Sequence, residues 1–506
     1  MTVDPGMGRE RQTRPDGRLE KAKTPGNGRC RDREGGEGPM QSDRQSFDAV
    51  VLGAGSAGSA AAAFLAEAGL RTALVDAQAP SRAGAGWVNA VPFWFYDRAG
   101  IARPRPPEAV SPGKALVMRS VRDTGGFRID PAPAPTVDMA LLVERIRRQA
   151  RDAGVRIAAP VREIRIRFEG ERPVEMAGVH VPEDGPPLRL EWRARLFVEA
   201  TGLGGFLRQQ VPLLRRDCPV PGGEDLCAAI QEDCEVTDRQ AASAFLEERG
   251  MVPGDVAGWV GVRGGYSTGM VHVHEGLDRA GLLIGVTGDG RNGTAGEFLA
   301  AWKARFPFLG RGLRTGAGLI PVRRPLDRLV APGVACVGDA ACQVFPGHAS
   351  GVGMGLLAAR MLAEACGAGA EDPGALEVLW RYASRFQRTH GPILGAFDVF
   401  RRMVWNMPEE DVQALTDLGF VGPGATRMAL SQRIGVPDPG ELFRLGSGSL
   451  RRPDLAARLA RTGPRMAAVA ALYRAYPESP DPASLARWSR ALGVAGGVLP
   501  DVAPPG

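Results

Sequence analysis

Between Asp48 and Asp76 the chain reads as an apolar run, a glycine turn, an alanine-rich stretch and a second apolar run. Asp48–Leu52 has the length and content of a short buried strand, Ala57–Ala68 forms a helix stopped by Gly69, and Arg71–Val75 forms the next strand. Gly53, Gly55 and Gly58 give GxGxxG at the junction of strand and helix. The first glycine permits the tight turn, the second lets a pyrophosphate approach the backbone, and the third lets helix and strand pack closely. Ser56 and Ala57 open the helix, whose unpaired N–H groups favour a phosphate. Asp76 ends the second strand at the spacing of an acid that binds a ribose hydroxyl. A parallel βαβ unit that binds a dinucleotide follows, which restricts the fold to the α/β class.

A second GxGxxG, at Gly288, Gly290 and Gly293, reads differently. Asp289, Arg291 and Asn292 are turn residues, and Thr294 with Glu297 forms a capping box for the next helix. No second strand ending in an acid follows, so turn and cap are expected there.

Strands and helices alternate onward from Phe47. Val137–Ala153 is helical by its apolar spacing, residues 171–198 alternate like antiparallel strands, and Leu196–Glu199 is an apolar strand. Gly281–Val286 and Val334–Gly338 are further strands, Gly351–Ala365 is a small-residue helix, and the pattern beyond about Asp372 is helical. Expected domains are residues 1–46 as a disordered segment, 47–370 as the nucleotide domain, and 371–506 as a helical region. A sheet-based substrate domain is inserted at about 206–330. The first segment is rich in Arg, Gly, Glu and Pro and cannot offset its ordering entropy by burial. Met40, just before the first strand, reads as the natural start.

The net charge of +6 and pI near 9.1 raise nucleic-acid binding. Acids accompany the basic residues, and no finger spacing or basic-aromatic run occurs, so no nucleic-acid partner is expected. Lysine occurs only at positions 21, 23, 114 and 303, arginine supplying the remaining positive charge. Seven cysteines in a chain of 506 residues do not form a disulfide framework. Cys218, Cys227 and Cys234 lack paired CxxC spacing and a nearby histidine, so buried thiols rather than a metal site are expected. No apolar stretch is long enough to span a bilayer, and no apolar signal segment opens the chain, so the expected compartment is the cytoplasm. The apolar run Pro392–Trp405 is the candidate for peripheral membrane contact, with an internal packing face the preferred reading.

Two distal segments narrow the nucleotide. Ala200-Thr201-Gly202 follows a strand in RLFVEATGLGGFL, and Gly333–Ala365 reads GVACVGDAACQVFPGHASGVGMGLLAARMLAEA. With the first motif, these segments resemble the FAD-dependent oxidoreductase superfamily of the geranylgeranyl reductases, aromatic hydroxylases and flavin-dependent halogenases, over roughly residues 47–365. The resemblance implies a glutathione-reductase-type FAD-binding Rossmann-like domain, an inserted antiparallel-sheet substrate domain and a helical C-terminal region. It implies that Asp339, after Gly338, holds a ribityl hydroxyl, and that Pro346, Gly351, Val352 and Gly353 lie beside the flavin ring. Val161 and the Ala200–Gly202 turn complete the implied FAD contacts. A glycine-rich helix N-terminus suits that place, because it stabilises negative charge on a reduced flavin. NAD(P)H is the implied electron donor. This chain has Thr201 where the hydroxylases carry Asp, and it lacks the halogenases' Trp-x-Trp-x-Ile-Pro element. Gly265–Gly269 matches only the beginning of the reductases' aromatic strand.

Trp87, Phe93, Trp94, Phe95 and Tyr96 form an aromatic cluster after the βαβ unit, open to either a substrate pocket or the core. His348 is the candidate proton donor, with a backbone-bonding helix-start role as its alternative. His272 and His274 share one strand face without a third ligand, so no metal is expected. Lys114 reads as an exposed turn residue and Lys303 as part of a solvated helix face. The expected function is FAD-dependent oxidation, reduction or hydroxylation of an apolar small molecule. A halogenase, or a flavin-binding protein without turnover, is the alternative.

Overall fold

The computed structural model describes residues 42–111, 114–132, 134–367, 369–419, 421–433, 440 and 450–502. Two four-residue apolar strands, Ala49–Leu52 and Thr72–Val75, are buried along their whole length, as strands covered on both faces must be. They lie inside a six-stranded sheet ordered Val330–Ala331, Val334–Cys336, Leu196–Glu199, Ala49–Leu52, Thr72–Val75, Arg156–Ala158. All its pairings are parallel except the first. The helix Ser56–Glu67 crosses between its two strands and packs on both Met139–Asp152 and Val352–Cys366.

A seven-stranded sheet runs in the order Leu309–Pro321, Leu226–Val236, Arg279–Thr287, Thr268–Val273, Val256–Val260, Leu116–Arg119, Gly126–Ile129. Its pairings are antiparallel, except that Leu116–Arg119 runs parallel to Val256–Val260. Five strands come from the expected insertion, but two come from residues 116–129. A substrate domain confined to 206–330 is therefore too narrow: short strands between prolines and glycines carry little periodic signal. Phe298, Leu299 and Trp302 of the helix Ala295–Arg305 fill one core against this sheet.

Residues 42–46 correct the expectation of disorder up to 46. Ser42–Ser46 pairs in parallel with Leu188–Arg193 and starts a four-stranded sheet completed by Arg172–His180 and Val161–Glu169. Its sequence, SDRQS, has no apolar residue; the backbone ladder and the Arg44–Glu175 ion pair at 2.9 Å hold it. The rest of that segment, Met40 included, lies outside the described residues.

Among the described residues after 375 only helices occur. Gly391–Trp405 buries Ile393, Leu394 and Ala396, and the ring of Tyr473 lies directly on Gly391 and Gly395, so the packing reading of this run holds. Beyond the last helix, Pro482–Gly496, the chain turns back into the interior. There Asp501 accepts two hydrogen bonds from Arg323, at 2.7 and 2.8 Å, and one from Arg324 at 3.3 Å. Arg324 also pairs with Asp327, and all four side chains are buried. Although burial pushes its pKa up, the two guanidinium groups hold Asp501 below the usual carboxylate value.

Candidate functional site

Three motifs far apart in sequence meet at the C-terminal ends of the parallel strands, where open α/β sheets bind ligands. Gly53 has φ of +104°, and a Cβ there would lie 2.2 Å from the carbonyl oxygen of Ala200. A Cβ on Gly58 would lie 1.8 Å from the oxygen of Gly53 and 3.0 Å from Cβ of Ala200. The first and second motifs are therefore in direct contact. Ala57 joins them to the third: a Cβ on Gly338 or Gly355 would lie 2.9 Å from its own Cβ. Gly55 is different. Its φ is −71°, and an added Cβ would touch only Cα of Gly84, at 3.7 Å. The protein itself does not require a glycine there, which leaves close approach by a ligand as the reason for one.

Asp76 accepts from the N–H of Ala54 at 2.6 Å and from that of Gln78 at 2.7 Å, tying strand end to glycine turn. Val161 donates its N–H to the Asp76 carbonyl at 2.8 Å and is fully buried. The Ala200–Gly202 turn depends on a residue that motif reading passed over. Glu199 is fully buried and accepts from the N–H and hydroxyl of Thr201, at 2.7 and 2.6 Å, and from the N–H groups of Leu207 and Arg208, at 2.5 and 3.0 Å. A charged residue closing an otherwise apolar strand was its sequence signal. Likewise Gln343 accepts from the N–H of Gly338 at 2.8 Å and fixes the third turn.

The Asp339 carboxylate accepts no hydrogen bond from the described residues, although the residue is part-buried and its Oδ1 would lie 3.0 Å from a Cβ on Gly351. Burial alone pushes its pKa up to about 6. A desolvated carboxylate without a donor in the protein fits a ligand that brings hydroxyl groups. Together with the convergent glycine turns, this orphaned acid makes the residues present compatible with FAD.

The segment expected beside the flavin ring is partly covered by the protein's own side chains. A Cβ on Gly353 would lie 2.3 Å from the ring of Phe95, so this glycine makes room for an aromatic side chain. Phe95 and Tyr96 are fully buried, whereas Phe93 and Trp94 are half-buried, and Trp87 lies across Gly316 and Gly318 of the edge strand Leu309–Pro321. The aromatic cluster thus divides between core and surface. Tyr266 donates its hydroxyl to the Pro346 carbonyl at 2.8 Å and stacks on Trp405 at 5.3 Å. Val352 opens the helix Val352–Cys366. His348 lies 4.6 Å from the Phe345 ring, with Nε2 3.3 Å from the Ala429 carbonyl oxygen. Solvent reaches the ring, yet its packed surroundings lower its pKa.

The other candidates lie elsewhere. At the second glycine motif, the Thr294–Glu297 capping box is formed and the preceding strand belongs to the antiparallel sheet. His272 and His274 stand 4.9 Å apart beside a recess of about 350 Å³, and no group of three metal-ligating side chains occurs among the described residues. Neither lysine is free: Lys114 keeps the exposed position expected of it, its side chain 39% open to solvent, while Lys303 is part-buried. Lys114 donates to the Pro253 carbonyl at 2.9 Å and pairs with Glu275 at 2.8 Å; Lys303 pairs with Glu232 at 2.5 Å. Lys114 precedes Leu116–Arg119, five strand spacings, about 24 Å at 4.8 Å each, from the edge strand beside the Gly202–Gly204 turn.

The fold and the convergent turns are those of an FAD-dependent oxidoreductase, and the chain is similar in sequence to digeranylgeranylglycerophospholipid reductases and in fold to flavin-dependent halogenases and monooxygenases. It is 24% identical over 466 residues to digeranylgeranylglycerophospholipid reductase of Sulfolobus acidocaldarius, covering 88% of this chain and 96% of that protein. A geranylgeranyl bacteriochlorophyll reductase-like protein of Thermoplasma acidophilum superposes with a TM-score of 0.64 at 15% identity, over 82% of this chain and all of that one. A myxobacterial FAD-dependent halogenase gives 0.52 at 17% identity, over 90% and 97% of the two chains. A probable FAD-dependent monooxygenase of Pseudomonas aeruginosa gives 0.51 at 18%, over 74% and 100%. No protein-family model matches the chain. No helix among the described residues is long and apolar enough to cross a membrane.

Proposed function

We propose that this FAD-dependent enzyme is a reductase that saturates carbon–carbon double bonds of an isoprenoid lipid. The observation that carries the reading is the convergence of the three turns around the unpartnered carboxylate of Asp339, in a chain similar to a digeranylgeranylglycerophospholipid reductase along nearly its whole length. In this reading Gly53, Gly55, Ser56, Ala57 and Gly58 seat the pyrophosphate, and Asp76 takes a ribose hydroxyl. Val161 and Ala200–Gly202 line the adenosine side, and Gly338 with Asp339 takes the ribityl chain. Pro346 and Gly351–Gly353 border the ring. These residues would hold FAD, which when reduced would supply a hydride equivalent for one alkene carbon, leaving the protein to deliver a proton to the other. His348, which lies within the ring segment, is assigned that proton, and NAD(P)H is assigned as electron source. A cytoplasmic compartment accords with the six described cysteines, all buried free thiols.

Anaerobic turnover with reduced FAD and a geranylgeranyl lipid tests the assignment: the product gains two hydrogens per double bond. His348→Gln slows that turnover without changing FAD content. Lys114→Met changes neither, and bromide leaves the product free of halogen. A brominated product that vanishes in the Lys114 variant would establish the halogenase instead.

The flavin assignment has its own test. Asp339→Ala removes a hydrogen bond between a charged acceptor and a cofactor hydroxyl, a loss of about 1.5–3 kcal/mol in FAD affinity measured by fluorescence titration. Because the folded pKa is raised, the stability that Asp339 contributes is full below the unfolded value and is lost as pH rises through about 6. Apoprotein melts should therefore show Asp339→Asn gaining stability over wild type between pH 4 and 7, by at most about 3 kcal/mol.

A further inference from the structure

We propose that the C-terminal helical pair, Pro453–Arg474 and Pro482–Gly496, docks the protein on an anionic bilayer surface. Arg487, Arg490 and Val494 stand at i, i+3 and i+7 of the second helix and so form one stripe. The stripe ends in the uncharged run VAGGVLP, residues 494–500, where Val494 is 80% exposed and Leu499 87%. Large apolar side chains this open to water have no packing role in the monomer. Arg465 of the first helix reaches the same corner, its Nε donating to the Ala495 carbonyl at 3.2 Å, and Arg461 lies about one turn before it. Arg461, Arg465, Arg487 and Arg490 are exposed, and none has a carboxylate within ion-pair distance among the described residues.

Unpaired arginines around apolar tips suit a lipid interface: the cations meet anionic headgroups while Val494 and Leu499 enter the boundary with the acyl chains. A nucleic acid would use the charge but leave the apolar tips in water. A second copy of the chain would bring like charges together. A bilayer satisfies both features.

Sedimentation of the full-length, FAD-loaded protein with vesicles of phosphatidylcholine containing one-third phosphatidylglycerol tests this. Binding is expected at low salt, to fall steeply in high salt, and to be absent with pure phosphatidylcholine. Each arginine at an anionic surface is worth about a fivefold change in partitioning. Arg487→Gln with Arg490→Gln should therefore weaken binding about 25-fold, and Leu499→Ser should weaken it with all arginines present. Flavin content and melting temperature are unchanged in both variants, which separates lost docking from lost folding. Wild type that stays in solution, or variants that bind like wild type, would overturn the proposal. So would stronger arginine-dependent binding to duplex DNA than to vesicles, or a Leu499→Ser protein whose only change is a smaller assembly in analytical ultracentrifugation.

Discussion

Asp501→Ala lowers the stability of the protein by about 3–5 kcal/mol, the range for removing one partner from a buried ion pair. Arg323 has no other acceptor among the described residues, and its Nε already lacks a partner. The variant leaves that guanidinium buried without its hydrogen-bonded carboxylate. Arg324 retains Asp327, so the loss falls mainly on one of the two arginines. Thermal or urea unfolding of the apoprotein measures the effect. Arg323→Met in the Asp501→Ala background should recover much of the loss, because an apolar side chain of similar length carries no stranded charge. A double variant no more stable than Asp501→Ala would place the effect elsewhere.

Gly55→Val leaves a folded protein that no longer holds FAD. The three motif glycines separate by mechanism. Gly53 and Gly58 cannot take a Cβ without striking backbone atoms at 2.2 and 1.8 Å, so substituting them disrupts the sheet itself. At Gly55 the backbone angles suit any residue, and the added Cβ makes an ordinary contact at 3.7 Å. The new methyl groups enter the space assigned to the pyrophosphate. Overfilling of this kind costs up to about 3 kcal/mol, equivalent to as much as roughly a hundredfold in FAD affinity. Flavin absorbance after reconstitution reads the loss, and circular dichroism confirms the retained fold. Tight FAD binding by Gly55→Val would remove the pyrophosphate from this turn.

The nucleotide unit was legible because each local requirement agreed with the others: apolar strands, glycine spacing, small-residue helix and terminal acid all indicated one geometry. Expected strand and helix limits there differ from the observed ones by one or two residues, as with Asp48–Leu52 against Ala49–Leu52. Ser42–Ser46 was not legible, since an edge strand held by its backbone needs no apolar alternation. The buried arginines were equally hidden. RRPLDR reads as a charged surface segment until Asp501, 177 residues from Arg324, is brought beside it. Phe95 on Gly353 shows a related limit: a motif glycine expected beside a flavin ring also seats a side chain from the distant helix Phe93–Ala99.

The pairing of Asp501 with Arg323 and Arg324 has a consequence for the order in which the chain is made. At roughly 5–20 residues per second, a ribosome takes about 10–35 s to add the 177 residues separating Arg324 from Asp501. During that interval the βαβ unit is complete, yet two arginines destined for the interior lack the carboxylate of Asp501. Closure of this ion-pair cluster must therefore await the synthesis of Asp501, and until then the growing chain presents these arginines to whatever holds nascent protein.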